Sequence, residues 1–100
     1  HPQHGLAAEH FSTFGAIMSI DLKPGLDCFG FVNSLEQVLN ATHLGDTRTL
    51  AIPVAHTIFY EMGAETREKM GISDNMIRFS IGIEDTDDII ADFKQALEAL

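Results

Sequence analysis

The sequence has a single cysteine, Cys28, and only six lysines and arginines in 100 residues. A lone cysteine excludes an internal disulfide and fits a reducing cytoplasm. The few basic residues stand against fifteen aspartates and glutamates, for a net charge of −9. Such a field repels phosphate backbones, which argues against nucleic acid as a partner. No apolar run approaches the ~20 residues needed to span a bilayer, so no membrane partner is expected. The histidines, His1, His4, His10, His43 and His56, come without a Cys pair or a His-Glu-x-x-His helix, so no metal site is expected. An initiating Met and a secretory leader are also missing, and His1-Pro2-Gln3-His4 reads as the start of a piece cut from a longer chain.

What is present describes one globular domain, residues 1–100. Hydrophobic residues make up 45% of the chain, enough for one modest core. Hydrophobic spacing predicts helix over 4–12, strand over 14–22 and an amphipathic helix from Leu26 to Leu39, with Pro24 suited to its start. A short strand over 49–54 ends at Pro53 or lies at a sheet edge. Residues 55–64 carry no clear period. A helix over 65–70 is capped by Gly71, a strand runs over 76–83, and a final helix carries Ile89, Ile90, Phe93, Ala96, Leu97 and Leu100 on one face. Cys28 lies on an apolar helical stripe and is expected as a buried structural thiol. The acidic run from Glu84 to Asp88 lacks the order of a calcium loop and fits a helical first turn capped by Asp85 or Thr86. The α-β-α-β-α-β-α order predicts an α+β fold: a small, mostly antiparallel sheet with helices packed on one face.

One residue stands out against this pattern. In Met76-Ile77-Arg78-Phe79-Ser80-Ile81-Gly82-Ile83-Glu84 the side chains alternate, so Ile77, Phe79, Ile81 and Ile83 are expected to meet the helices. Arg78 and Ser80 then face the uncovered side of the sheet. That placement serves two ends equally: a surface arginine paired with Glu84, or a planar fork gripping a carboxylate or phosphate. His43, ahead of Leu44-Gly45-Asp46, sits in a loop expected at a sheet edge, where ligand contacts concentrate.

The closing stretch from Met76 to Leu97 resembles the signature of the Cys/Met-metabolism pyridoxal-phosphate enzymes, which include cystathionine synthases and lyases, methionine γ-lyases and O-acetylhomoserine sulfhydrylases. Arg78, Ser80, Gly82, Ile83, Glu84, Asp85, Asp88, Gln95, Ala96 and Leu97 carry the likeness, supported by Met70-Gly71-Ile72, by 43–53 and by 14–22. The resemblance implies a C-terminal domain of a fold-type I enzyme, with Arg78 binding the α-carboxylate of an amino-acid substrate. It also implies that His43 and Leu44 line that pocket and that Thr49 matches a Ser or Thr just beyond it. His43 departs from the Ser or Asn common at its position, and Ile58 follows Thr57 where a His is usual. Pyridoxal phosphate, its lysine and all catalytic residues are expected in a large domain outside this stretch; Lys23, Lys69 and Lys94 stand in no cofactor context. The implied whole is a cytoplasmic homo-oligomer performing γ-replacement on an O-acylhomoserine, with methionine or cystathionine γ-lyase as the alternative. From another class, a free-standing acidic module binding an amino acid or a protein on the open sheet face also fits the composition.

Overall fold

Strand β4 (Met76–Ser80) is the central element of the structure, a computed structural model that describes residues 1–100. It lies between β1 (Ile17–Asp21) and β3 (Leu50–Pro53) and runs antiparallel to both. A two-residue strand, β2 (Leu39–Asn40), pairs in parallel with β3, which completes the order β1-β4-β3-β2. The α+β class with a mostly antiparallel sheet is therefore as expected, and β2 is an addition to it. The short helices α1 (His4–His10) and α3 (Ala64–Lys69) bury no residue. The aperiodic residues contain two turns of 3₁₀ helix, Val54–His56 and Tyr60–Met62.

Pairing register sorts the sheet into two faces. Ile20 lies opposite Ile77, and Met18 and Ala51 flank Phe79. This face packs against α2 (Cys28–Ser34) and α4 (Thr86–Glu98), joining Phe31, Val32, Ala51, Ile77, Phe79 and Ala96 in one core. The Phe79 ring lies 4.6 Å from that of Phe93 and meets Phe31 edge-on at 6.3 Å, both favourable arrangements for aromatic quadrupoles. Cys28 is buried as expected, its Sγ 3.6 Å from the Asp74 carbonyl oxygen. Burial and the neighbouring Asp27 charge push its thiol pKa up, so it is not an activated nucleophile. Gly71 follows α3 at φ 72° and donates to the Glu68 carbonyl, as a terminal glycine should. Asp85 caps α4, accepting from Asp87 N–H at 2.9 Å.

Three expectations need correction. The periodicity over 26–39 continues past the helix, which stops at Ser34 and begins only at Cys28, four residues after Pro24. The cause is Asp92 on α4: its carboxylate accepts the N–H groups of Glu36, Gln37 and Val38 at 2.8, 2.9 and 2.9 Å, turning the chain away. Strand pairing in β4 ends at Ser80, and Ile83 is 83% exposed and not in the core. On α4, the buried stripe is Ile89, Asp92 and Ala96 with Phe93 beside it, whereas Ile90, Leu97 and Leu100 are exposed.

Asp92 is a buried carboxylate with four donors, since Gln95 Nε2 also reaches it at 2.9 Å. Burial alone raises its pKa, but the three N–H groups and Gln95 outweigh that and hold it below the ordinary value of 3.8. A depressed folded-state pKa means that its stabilisation is present above the unfolded value and is lost as pH falls through the folded one. We expect Asp92→Asn to destabilise the chain by about 2 kcal/mol at neutral pH, because an amide cannot accept the same set of bonds. In urea denaturation the gap between variant and wild type should narrow below pH 3.8. A gap independent of pH would assign the loss to packing.

Candidate carboxylate-binding site

The second face of the sheet is only partly open. Arg78 shares it with Ser19 and Ile52, and Ser80 shares it with Leu50, as the register requires. Ser80, Leu50 and Ile52 are all buried, so Ser80 does not lie on an uncovered surface. The segment 42–49 crosses this side. Gly45 N–H donates to Ser80 Oγ at 2.8 Å, and Arg78 Nη2 donates to the carbonyls of Thr42 and His43 at 3.0 and 3.1 Å.

Arg78 is thus anchored through one nitrogen, and the rest of its guanidinium finds no acceptor in the chain. Its Nε is shut off from water without a hydrogen-bond partner. No carboxylate pairs with it; the ion pairs of the chain belong to Arg48, Arg67 and Lys69. Glu84, the partner of the surface-arginine reading, is engaged elsewhere. Its Oε1 accepts from Thr49 N–H at 2.5 Å and its Oε2 from the Thr49 hydroxyl at 2.8 Å. Burial acts to raise the Glu84 pKa, and the Thr49 N–H and hydroxyl bonds outweigh it to leave it lowered.

The structure joins Arg78 to the backbone of His43, with Leu44 next in the chain, and sets Thr49 apart. Leu44 is 60% exposed and the His43 side chain is also exposed, while the His43 carbonyl fixes the guanidinium. Thr49 has no exposed surface: besides binding Glu84, its Oγ1 accepts from Gly82 N–H at 2.9 Å. It therefore holds the loop in place and presents no atom to a ligand. Residue spacing alone does not reveal this, because the bonded positions lie 33 to 35 residues apart. The one signal was the glycine at 82 in a strand-like run.

Other chemistry-bearing residues remain dispersed. His4 stacks on Phe14, and His56 Nε2 lies 2.8 Å from the Asp74 carbonyl oxygen. No group of three or more His, Cys, Asp or Glu side chains is arranged to hold a metal ion. No helix is long and apolar enough to cross a membrane.

Comparison with known proteins gives this geometry its family. Residues 1–98 match the family model described as Cys/Met metabolism PLP-dependent enzyme. The whole chain is similar to the O-succinylhomoserine sulfhydrylase of Pseudomonas aeruginosa, at 42% identity, and covers 25% of it. It is also similar to the L-methionine gamma-lyase of Fusobacterium nucleatum subsp. polymorphum, at 39% identity over the whole chain and 26% of that relative. Among solved structures, a cystathionine gamma-lyase from Lactobacillus plantarum complexed with L-serine superposes with a TM-score of 0.92 at 30% identity, over 99% of this chain and 26% of its own. A four-stranded α+β domain that anchors one arginine beside an exposed loop is the class that the geometry defines. The chain belongs to the Cys/Met-metabolism, pyridoxal-phosphate-dependent enzymes.

The chain spans about a quarter of the length of the curated relatives it matches. Its lysines do not fit a cofactor-linking role: Lys23, Lys69 and Lys94 are exposed, in the turn after β1, on α3 and on α4, and Lys69 is paired with Glu65 at 2.7 Å. None stands in the 42–49 loop or on β4.

Gly82 sets the closest approach in the site. A Cβ there would come within 2.5 Å of Arg48 C and of Glu84 Oε2, and would also strike the Thr47 carbonyl oxygen. Two of these are backbone atoms, which cannot swing aside. We expect Gly82→Ala to destabilise the fold by about 2 kcal/mol or more, as overpacking against backbone does. Thermal unfolding of the variant checks this. An unchanged midpoint would mean that the loop moves freely away from residue 82.

Proposed function

We propose that these 100 residues are the C-terminal, substrate-carboxylate-binding domain of a pyridoxal-phosphate enzyme of sulfur amino-acid metabolism. In this reading the whole enzyme performs γ-replacement on an O-acylhomoserine. The observation that carries it is Arg78. In a chain with fifteen acidic residues, its guanidinium meets no carboxylate and keeps a buried Nε without an acceptor. The buried Nε is out of a ligand's reach, but Nη1 is neither buried nor bonded within the chain, and a carboxylate from outside can meet it there. Carbonyl anchoring of Nη2 fixes the plane of the guanidinium, so the carboxylate it receives is oriented as well as bound. Exposed His43 and Leu44 line the approach, and Thr49 holds them there.

Support for an α-amino acid comes from the L-serine complex of the superposing gamma-lyase, and support for O-acylhomoserine from the sulfhydrylase relative. Pyridoxal phosphate supplies the electron sink in such enzymes; on this reading a large domain holds it, since the lysines here do not fit. The same reading places the enzyme in the cytoplasm as a homo-oligomer. A γ-lyase acting on methionine or cystathionine is the second reading, favoured by 39% identity to a methionine gamma-lyase. Turnover of O-succinylhomoserine with sulfide, compared with turnover of methionine alone, separates the two. The 98-residue match to an enzyme family favours both over a free-standing binding module.

In the whole enzyme, we expect Arg78→Ala to lower kcat/KM by about 100-fold, or about 3 kcal/mol, the loss of a charge-assisted pair. Arg78→Lys keeps the charge without the fork, and should lose about 10-fold. Values within a few-fold of wild type for Arg78→Ala would return Arg78 to an ordinary surface role.

The 100-residue chain alone should neither turn over these substrates nor bind pyridoxal phosphate stoichiometrically. Absorbance of the purified chain after dialysis against the cofactor tests this, and a retained equimolar chromophore would place a cofactor site within these residues.

A further inference from the structure

We propose that Glu84 is a positioning residue for the Arg78 carboxylate clamp, acting through the 42–49 loop. The inference rests on the carboxylate-binding reading of Arg78 given above. It comes from the order of the contacts between two segments. Arg78 binds the carbonyls of Thr42 and His43, Ser80 accepts from Gly45, Ile83 N–H donates to Thr47 at 2.9 Å, and Glu84 takes both Thr49 donors. Contacts therefore advance along both segments in the same direction, with Arg78 at one end and Glu84 at the other. Gly82 lets the two backbones lie close enough for this, and its N–H adds a bond to Thr49 Oγ1.

Such an arrangement couples its ends. The loop side chains from Thr42 to Arg48 are exposed, and no helix or strand covers those residues, so the β4 extension supplies most of what holds them. Removing the Glu84 carboxylate leaves the Thr49 N–H and hydroxyl proton without acceptors and loosens the end of the loop, which the Leu39 N–H and Gly82 N–H bonds to Thr49 still tether. The carbonyls that orient Arg78 Nη2 then lose their fixed position. Glu84 makes no ion pair, and both of its oxygens are turned to Thr49 and away from Arg78. Its influence on the substrate runs through the loop.

A double-mutant cycle in the whole enzyme tests this, with steady-state turnover of O-succinylhomoserine and sulfide, or of methionine if that is the compound turned over. We expect Glu84→Ala to lower kcat/KM about 10-fold, chiefly through KM, in the wild-type background. In the Arg78→Ala background it should cost less than about 2-fold, because the clamp it positions is gone. Glu84→Gln keeps an acceptor for the Thr49 N–H and should lose about 3-fold, again only when Arg78 is present. It carries the same test if the alanine variant does not fold. Equal losses with and without Arg78 would make Glu84 a general structural residue and overturn the proposal, as would full activity of both Glu84 variants. If Arg78→Ala itself costs nothing, the carboxylate reading fails first and this inference falls with it. That outcome is distinguishable, because it appears in the single Arg78 variant alone.

Discussion

The structure depends most on what the chain does immediately after β4. Up to Ser80 the backbone pairs within the sheet; beyond it, Ile81 N–H reaches the Ala16 carbonyl and Ile83 N–H the Thr47 carbonyl. One continuous segment therefore starts as the central strand and, bending at 83–84, ends as the support of a loop. Its Ile77 and Phe79 side chains fix it in the core, which gives the loop a rigid reference. Gly82 is the point where the two roles meet, since only a residue without a Cβ allows the loop backbone so near. A site built on a strand rooted in the core is held more tightly than one built from loops alone.

The excess of acid residues is put to a specific use. Asp27, Asp46, Asp85, Glu84 and Asp92 each accept backbone N–H groups, at Phe29, at Arg48, at Asp87, at Thr49 and at residues 36–38. A charged acceptor makes the stronger kind of hydrogen bond. Asp27 and Asp85 cap helices, while Asp46, Glu84 and Asp92 fasten backbone outside them. Glu84, the one acidic residue expected beside Arg78, is committed to Thr49 in this way, and no carboxylate of the chain pairs with the mid-strand arginine. The electrostatic pattern is local, and the overall charge does not reveal it.

Much of this was legible in the sequence. Alternation in 76–80 gave β4 and the direction of Arg78, and the family likeness supplied the expectation of a carboxylate. The helix predicted to Leu39 failed because Asp92, 54 to 56 residues away, captures the N–H groups that would have continued it. The family likeness puts Thr49 just beyond the pocket as a match to a Ser or Thr, and in the structure its hydroxyl is engaged by Glu84 and Gly82. Periodicity records which side chains favour burial; it does not record which distant carboxylate claims a backbone donor. Ile83 failed for a related reason: alternation continued after the sheet had ended, so its apolar face had no core to meet.

The charge of the chain also bears on what Arg78 can receive. At a net charge of −9, approach of a dianionic phosphate is opposed by every uncommitted surface carboxylate within about a Debye length of 8–10 Å. The α-ammonium and α-carboxylate of an amino acid together bring no net charge, whatever its side chain adds, so one is favoured where the other is opposed and their contributions largely cancel. Binding is then decided at short range, by the orientation of the guanidinium and the absence of competing internal carboxylates. Both conditions hold at Arg78, where two carbonyls fix the plane and Glu84 is turned toward Thr49. Among these 100 residues, then, the acidic field opposes a dianionic phosphate more than an α-carboxylate that travels with its own ammonium group.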